Sequence, residues 1–175
     1  MRTVTLIALI FIAAPFVRVA AQDGETRLSL WPNGEVRSQI EARRNLQGRM
    51  EREGRAEVFH EDGTISARGQ FGGDLEQGRW SWYSPDGTLS AICDYEDGVG
   101  RYRDVRPDGS VLREGTMRGN EREGLWREYY PSGRTKLTGR YVDSLQHGEW
   151  TAYTDEDPPR SQRVRFERGV MMEQD

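Results

Sequence analysis

Five four-residue turn signatures recur along this chain: Trp31-Pro32-Asn33-Gly34, His60-Glu61-Asp62-Gly63, Ser84-Pro85-Asp86-Gly87, Arg106-Pro107-Asp108-Gly109 and Tyr130-Pro131-Ser132-Gly133. Their glycines lie 29, 24, 22 and 24 residues apart. Proline presets φ for the first central position of a type I turn, Asn, Asp or Ser suits the second, and glycine accepts the left-handed conformation that follows. A turn of that kind joins two antiparallel strands. Each signature therefore reads as the tip of a β-hairpin, with Gly34, Gly63, Gly87, Gly109 and Gly133 as structural turn residues.

Other columns keep the same phase. Gly54, Gly78, Gly100, Gly124 and Gly148 fall 24, 22, 24 and 24 residues apart and are expected between consecutive hairpins. Seven residues before a tip glycine stand Trp80, Tyr102 and Trp126, with Trp150 in phase in the last copy. Four before it come Leu30, Phe59, Tyr83, Val105 and Tyr129, continued by Tyr153. Eight after it come Phe71, Tyr95, Met117 and Tyr141. A lone hairpin is marginal in water, so units of this size must stack to bury their apolar side chains. Stacking puts Trp on Trp and Tyr on Tyr. No segment shows sustained helical periodicity except Glu41 to Glu53, which fits either a longer hairpin loop or a helical turn. The fold class is all-β: an elongated, single-layered antiparallel sheet of tandem hairpins about 24 residues long. Gln162 to Glu167 alternates polar and apolar, as an edge strand with one wet face would.

The first residues bear on compartment. Met1-Arg2 precedes an apolar run from Val4 to Val17, and Val19-Ala20-Ala21 suits a signal peptidase. The run falls short of the roughly 20 residues that a spanning helix needs. Residues 1–21 are therefore expected to be a signal peptide cleaved after Ala21, and 22–175 a repeat domain of about six units, atypical at both ends. The expected location is the periplasm or the exterior. Loss of the leader removes Arg2 and Arg18 and no acid, so the net charge moves from -4 to -6. Acidic and basic residues alternate without a basic face, which argues against nucleic acid as a partner. Cys93 is the sole cysteine, so no intrachain disulfide forms, and burial as a small apolar residue is expected.

Units such as Gly124-Leu125-Trp126-Arg127-Glu128-Tyr129-Tyr130-Pro131-Ser132-Gly133 resemble the MORN-type repeat, closest to a variant found in bacterial proteins often labelled antitoxin-like. The stretch from Gly139 to Trp150 resembles it too. The resemblance covers about residues 27 to 170 and implies an elongated run of hairpins used for interaction or assembly. MORN proteins have also been linked to lipids, but nothing in this net-acidic chain supports membrane binding.

The chemical inventory points away from catalysis. His60 reads as a solvated turn residue and His147 as part of a structural column. No nucleophile elbow, zinc-binding helix or phosphate loop is present. Asp62, Asp86 and Asp108 share a turn position where local hydrogen bonds account for them. No cofactor or metal is expected, and Asp155-Glu156-Asp157 reads as a solvated acidic loop. The candidate binding residues are Trp80, Trp82, Tyr83, Trp126, Tyr129, Tyr130, Trp150 and Tyr153. In Trp-x-x-Tyr the two side chains differ in parity along a strand, which puts them on opposite faces unless a bulge intervenes. The function expected is a non-catalytic scaffold that binds another protein. The alternative is an envelope-glycan-binding module that uses an exposed aromatic column.

Overall fold

A computed structural model describes residues 16–21 and 24–172. Residues 1–15, which hold most of the leader run, and residues 22, 23 and 173–175 lie outside the description. The described chain is one antiparallel meander of fourteen strands in sequence order, forming a single sheet. The strands are β1 (Phe16–Ala21), β2 (Gly24–Leu30), β3 (Val36–Arg44), β4 (Met50–Phe59), β5 (Ile65–Gly72), β6 (Leu75–Tyr83) and β7 (Leu89–Glu96). They continue as β8 (Val99–Val105), β9 (Val111–Arg118), β10 (Glu121–Tyr129), β11 (Thr135–Val142), β12 (Leu145–Tyr153), β13 (Ser161–Glu167) and β14 (Val170–Met172).

Two corrections to the expected layout follow at once. Glu41 to Glu53 is neither loop nor helix: β3 and β4 are lengthened there and close through Asn45 to Arg49. Asn45 holds that turn by accepting from the backbone N–H groups of Gln47 and Arg49. Strand β13 does alternate, but it is not the edge, because β14 pairs with it. At the other end, the backbone of Phe16–Ala21 pairs with β2.

The five tips form as their residues dictate. Each tip glycine has φ between 81° and 90°. The side chains of Asn33, Asp62, Asp86 and Asp108 accept the backbone N–H two residues on, at 2.9–3.0 Å. Successive tips are also tied together. The Trp31 indole N–H donates to the Phe59 carbonyl at 3.2 Å, and the Tyr130 hydroxyl donates to that of Tyr153 at 2.8 Å. Arg106 donates to the Tyr129 carbonyl, and His60 Nε2 lies 3.0 Å from that of Tyr83. His60 is thus a tie between repeats rather than a solvated turn residue; a carbonyl only accepts, so Nε2 carries the proton.

The opposite ends of the hairpins close through two-residue turns that the glycine columns do not mark. Gly73-Asp74, Asp97-Gly98, Asp143-Ser144 and Arg168-Gly169 have positive φ at both positions, the signature of type I′ turns. Gly54, Gly78, Gly124 and Gly148 instead lie inside strands, also at positive φ. They open β-bulges. Arg68 pairs with Ser81 and Gln70 with Gln77, so Gly78, Arg79 and Trp80 together face Gly69. Glu123 to Arg127 and His147 to Thr151 repeat the arrangement opposite Gly115 and Gly139.

Three of these bulges, at Gly78, Gly124 and Gly148, swing a tryptophan flat onto the facing glycine. A Cβ built on Gly69, Gly115 or Gly139 would fall less than 3.0 Å from the indole of Trp80, Trp126 or Trp150 respectively. Each indole N–H then donates to the carbonyl just past that glycine, on Gln70, Thr116 and Arg140, at 3.0–3.2 Å. The three tryptophans are only 3–6% exposed. Burial of a large ring normally needs a second layer; here the bare backbone of a neighbouring strand supplies the surface.

The rings then meet, mostly edge to face, in an order the columns did not give. The chain of contacts runs Phe71, Trp80, Trp82, Tyr102, Trp126, Tyr141, Trp150 and Phe166, with centroids 5.1–6.2 Å apart. Tryptophans mostly alternate with Tyr or Phe instead of stacking on their own kind. With the tryptophan laid across the neighbouring strand, the next ring it can reach is the aromatic eight residues past a tip glycine.

The unit of β7 and β8 departs from this scheme by lacking the bulge. Strands β7 and β8 pair without a bulge, Cys93 opposite Tyr102 and Tyr95 opposite Gly100. A bulge sets three residues against one and so adds two. Its absence accounts for a repeat of 22 residues among repeats of 24. Cys93 holds the position of Gly69, Gly115 and Gly139, and Tyr102 holds that of the tryptophans. Gly100 lacks the positive φ of its column; a Cβ there would collide with Cys93 and Tyr95 instead.

The tryptophan-on-glycine contact makes Gly139→Ala destabilising by about 1–3 kcal/mol through overpacking. Combined with Trp150→Ala, the alanine at 139 should cost almost nothing, and urea unfolding of the four proteins of that cycle measures the coupling. Equal costs in both backgrounds would refute the contact. The tips give a second expectation. Local hydrogen bonds to Thr64, Thr88 and Ser110 hold Asp62, Asp86 and Asp108 below the ordinary carboxyl value of 3.8. A carboxylate lowered in this way stabilises the fold above its unfolded pKa and ceases to do so as pH falls through the folded one. Urea midpoints should therefore hold steady above about pH 5 and decline below about pH 4, less steeply in Asp86→Asn.

Candidate interaction groove

The ladder face carries an open groove of about 320 Å³. Its walls are Trp82, Tyr95, Tyr102, Met117 and Trp126, with Asn120, Arg122 and Ser144 toward the return turns. It lies where the unbulged unit interrupts the run of flat tryptophans. Parity assembles it. Trp80 and Trp82 share a face of β6; the facing positions of β7 and β8 are Cys93 and Tyr102, and Met117 stands opposite Gly100 on β9.

Polar contacts fix the tyrosines. The Tyr102 hydroxyl donates to Asp104 at 2.5 Å, and Arg113 pairs with the same carboxylate. This satisfies Asp104, the buried charged residue of the core. The Tyr95 hydroxyl donates to the Gly119 carbonyl at 3.0 Å. Burial pushes both phenols above their ordinary value. It also pushes the fully buried Cys93 thiol up to about 11. Phenols and thiol therefore stay protonated at neutral pH.

Arg122 supplies the charge. Its guanidinium lies 5.1 Å from the Trp126 ring centre and 5.3 Å from that of Tyr141, and it donates to the Tyr141 hydroxyl at 3.2 Å. A guanidinium held beside aromatic rings keeps donors free at its edge. The groove thus offers apolar walls, hydroxyl and amide groups and one cation. These are the means of gripping a ligand. Among the described residues no cluster of His, Cys, Asp or Glu is placed to hold a metal ion.

The eight sequence-selected residues do not form one surface. Trp80, Trp126 and Trp150 are ladder residues pressed onto glycines, and of these only Trp126 also borders the groove. Trp82 is half-buried in the groove wall. Tyr83 and Tyr129 face the other side, as parity predicts: Arg68 stacks on Tyr83 at 5.3 Å, and the Tyr129 hydroxyl donates to Glu114 at 2.6 Å. Burial and that carboxylate raise the Tyr129 phenol to about 12. Tyr130 and Tyr153 belong to the tip ties. The acidic loop is also engaged, with Ser132 and Arg134 on Asp155 and Arg160 on Glu156. Arg122, Asn120 and Ser144 were missed by reading aromatics alone. The available signal was the pairing of Arg122 with Arg52, each standing two residues before a bulge glycine.

The family of MORN repeat variants matches this chain twice, at residues 76–97 and 122–143. Both segments run from a bulged strand across a tip into the next strand, in the phase set by the turn signatures. The chain is a MORN-type repeat protein. MORN repeats are non-catalytic modules of protein interaction, and the sheet is the repeat scaffold of that family. A search among curated proteins found no match. Among solved structures, a glycosylation-associated Gap123 complex from Streptococcus agalactiae is similar at 12% identity and a TM-score of 0.33. The match covers 70% of this MORN chain and 20% of that one. A GtfA/B complex bound to UDP and GlcNAc shares 12% identity with a TM-score of 0.22, over 88% of this chain and 25% of that one. The protein thus spans a quarter or less of those chains, and at such scores neither likeness bears on its function.

The burial of Cys93 gives a direct check. In the folded protein the thiol should resist maleimide at neutral pH and react at the rate of a free thiol in concentrated urea, as mass spectrometry would record. Prompt labelling of the folded chain would show that the β7–β8 pairing opens.

Proposed function

We propose that this MORN protein is an exported scaffold that binds another protein across the ladder-face groove, in the cell envelope or outside the cell. The observation that carries the reading is the groove itself. It is a half-apolar recess with one stacked cation, set in a single-layered sheet whose two faces are open to partners along its length. Aromatic residues, methionine and arginine are the types that dominate protein contacts. Support for export comes from the charged start, the short apolar run and the Val19-Ala20-Ala21 site. Cleavage after Ala21 would remove β1 and make β2 the edge of the sheet.

Mass spectrometry of the protein from its own cells should find an N-terminus at Gln22 in the envelope or medium; intact protein retaining residues 1–21 in the cytoplasm would refute export. For binding, the protein is immobilised and exposed to the envelope fraction, beside an Asn120→Trp variant that fills the mouth of the groove. The expected result is one polypeptide, purified and titrated to saturation, held at least tenfold more weakly by the variant. Retention on purified envelope glycan alone, unaffected by Asn120→Trp, would overturn the reading.

A further inference from the structure

Two repeats place the same arginine in the same setting and complete it differently. Arg52 and Arg122 each lie two residues before a bulge glycine and stack on the aromatic eight residues past a tip glycine. Arg52 is 4.0 Å from the Phe71 ring centre and Arg122 is 5.3 Å from that of Tyr141. Each also bonds through its backbone to the second residue of the next return turn, 22 positions on. The Arg52 N–H donates to the Asp74 carboxylate at 2.8 Å, and the Arg122 N–H donates to the Ser144 hydroxyl at 3.0 Å. The reciprocal bonds, from the N–H of Asp74 and of Ser144 to the arginine carbonyls, both measure 3.1 Å. The two turn residues have nearly equal φ, 68° and 65°.

The difference is charge. The Asp74 carboxylate also pairs with the Arg52 side chain, at 3.3 Å. Ser144 offers a hydroxyl in its place. Among the described residues no carboxylate lies within ion-pair distance of Arg122. Its neighbours on β10, Glu121 and Glu123, have the opposite parity and face away. Asp104, an acid of the ladder face, is already held by Tyr102 and Arg113. The repeat therefore builds a carboxylate-binding arginine in both places, fills it internally at Arg52, and leaves it open at Arg122. Only the open copy borders the groove.

Building on the protein-binding reading above, we infer that the groove recognises an acidic peptide segment of its partner. A side-chain carboxylate of that segment would take on Arg122 the place that Asp74 takes on Arg52, with an adjoining apolar side chain against Trp82, Tyr102 and Met117. Charge-assisted bonds from a guanidinium to a carboxylate are directional, and a half-buried, ring-backed arginine holds its donors in a fixed plane. The carboxylate is thus the element of specificity, and the aromatic walls supply contact area.

The test closes the site without removing the arginine. Ser144→Asp copies the Asp74 arrangement at a φ that Asp74 itself adopts, so the fold is kept while the internal partner is restored. A random dodecapeptide display library is panned on the full wild-type chain, on Ser144→Asp and on Ser144→Ala. The expected result is enrichment of Asp or Glu at one position in peptides selected by wild type and by Ser144→Ala, absent with Ser144→Asp. The best peptide, synthesised, should bind wild type at least tenfold more tightly than its Gln or Asn counterpart does, and Arg122→Gln should erase that preference. Peptides that bind wild type and Ser144→Asp equally would overturn the carboxylate site and leave the scaffold reading standing. Recovery of no peptide, with oligogalacturonate binding wild type but not Ser144→Asp, would overturn the peptide as occupant and count against the scaffold reading as well.

Discussion

The contact between an indole and a bare glycine on the neighbouring strand underlies the rest of this molecule. A single sheet has no second layer against which to bury its side chains, so a ring can leave water only by lying down. It lies down where the facing backbone carries no Cβ and where a bulge turns the tryptophan sideways. Trp80 on Gly69, Trp126 on Gly115 and Trp150 on Gly139 all meet both conditions. The indole N–H, which would otherwise be buried without a partner, finds the carbonyl beside the glycine. Burial, hydrogen bonding and register thus rest on one geometry, repeated along the sheet.

Much of this was legible in the sequence, because turn chemistry is local. The tip signatures fixed where the chain reverses, and their spacing gave an all-β repeat. The parity of Trp-x-x-Tyr assigned Tyr83 and Tyr129 to the far face. What escaped is what depends on two strands at once. Gly54, Gly78, Gly124 and Gly148 look like turn residues because positive φ has the same sequence mark in a turn and in a bulge. Of the type I′ turns that do reverse the chain, Asp143-Ser144 lacks a glycine altogether, and the glycines of the others keep no single position within the pair, so they form no column. The length of β3 and β4 was hidden because its extra residues are charged, without apolar periodicity to announce a strand.

The groove was legible only in hindsight. Its aromatics belong to columns recognisable from spacing, but the property that separates it from the rest of the ladder is an omission: the two residues of a bulge and the carboxylate opposite Arg122. A search for motifs finds what is present. Comparing each copy with its siblings finds what is missing, and in repeat proteins the copies are their own control. Arg52 with Asp74 defines the complete arrangement, against which Arg122 with Ser144 stands out as incomplete.

The lost bulge also carries a lesson about chain length. Side chains of a strand alternate between faces, so inserting or deleting one residue would turn every later side chain of that strand over. The bulge adds two. A repeat can thus change from 24 to 22 residues while Cys93, Tyr102 and everything after them stay on the face they had. Tolerance of insertions in this sheet is quantised: even steps at the bulge are absorbed within one hairpin, whereas odd steps must be confined to the turns. Such a ladder can vary its copies, and open or close grooves between them, without recasting the rest of the protein.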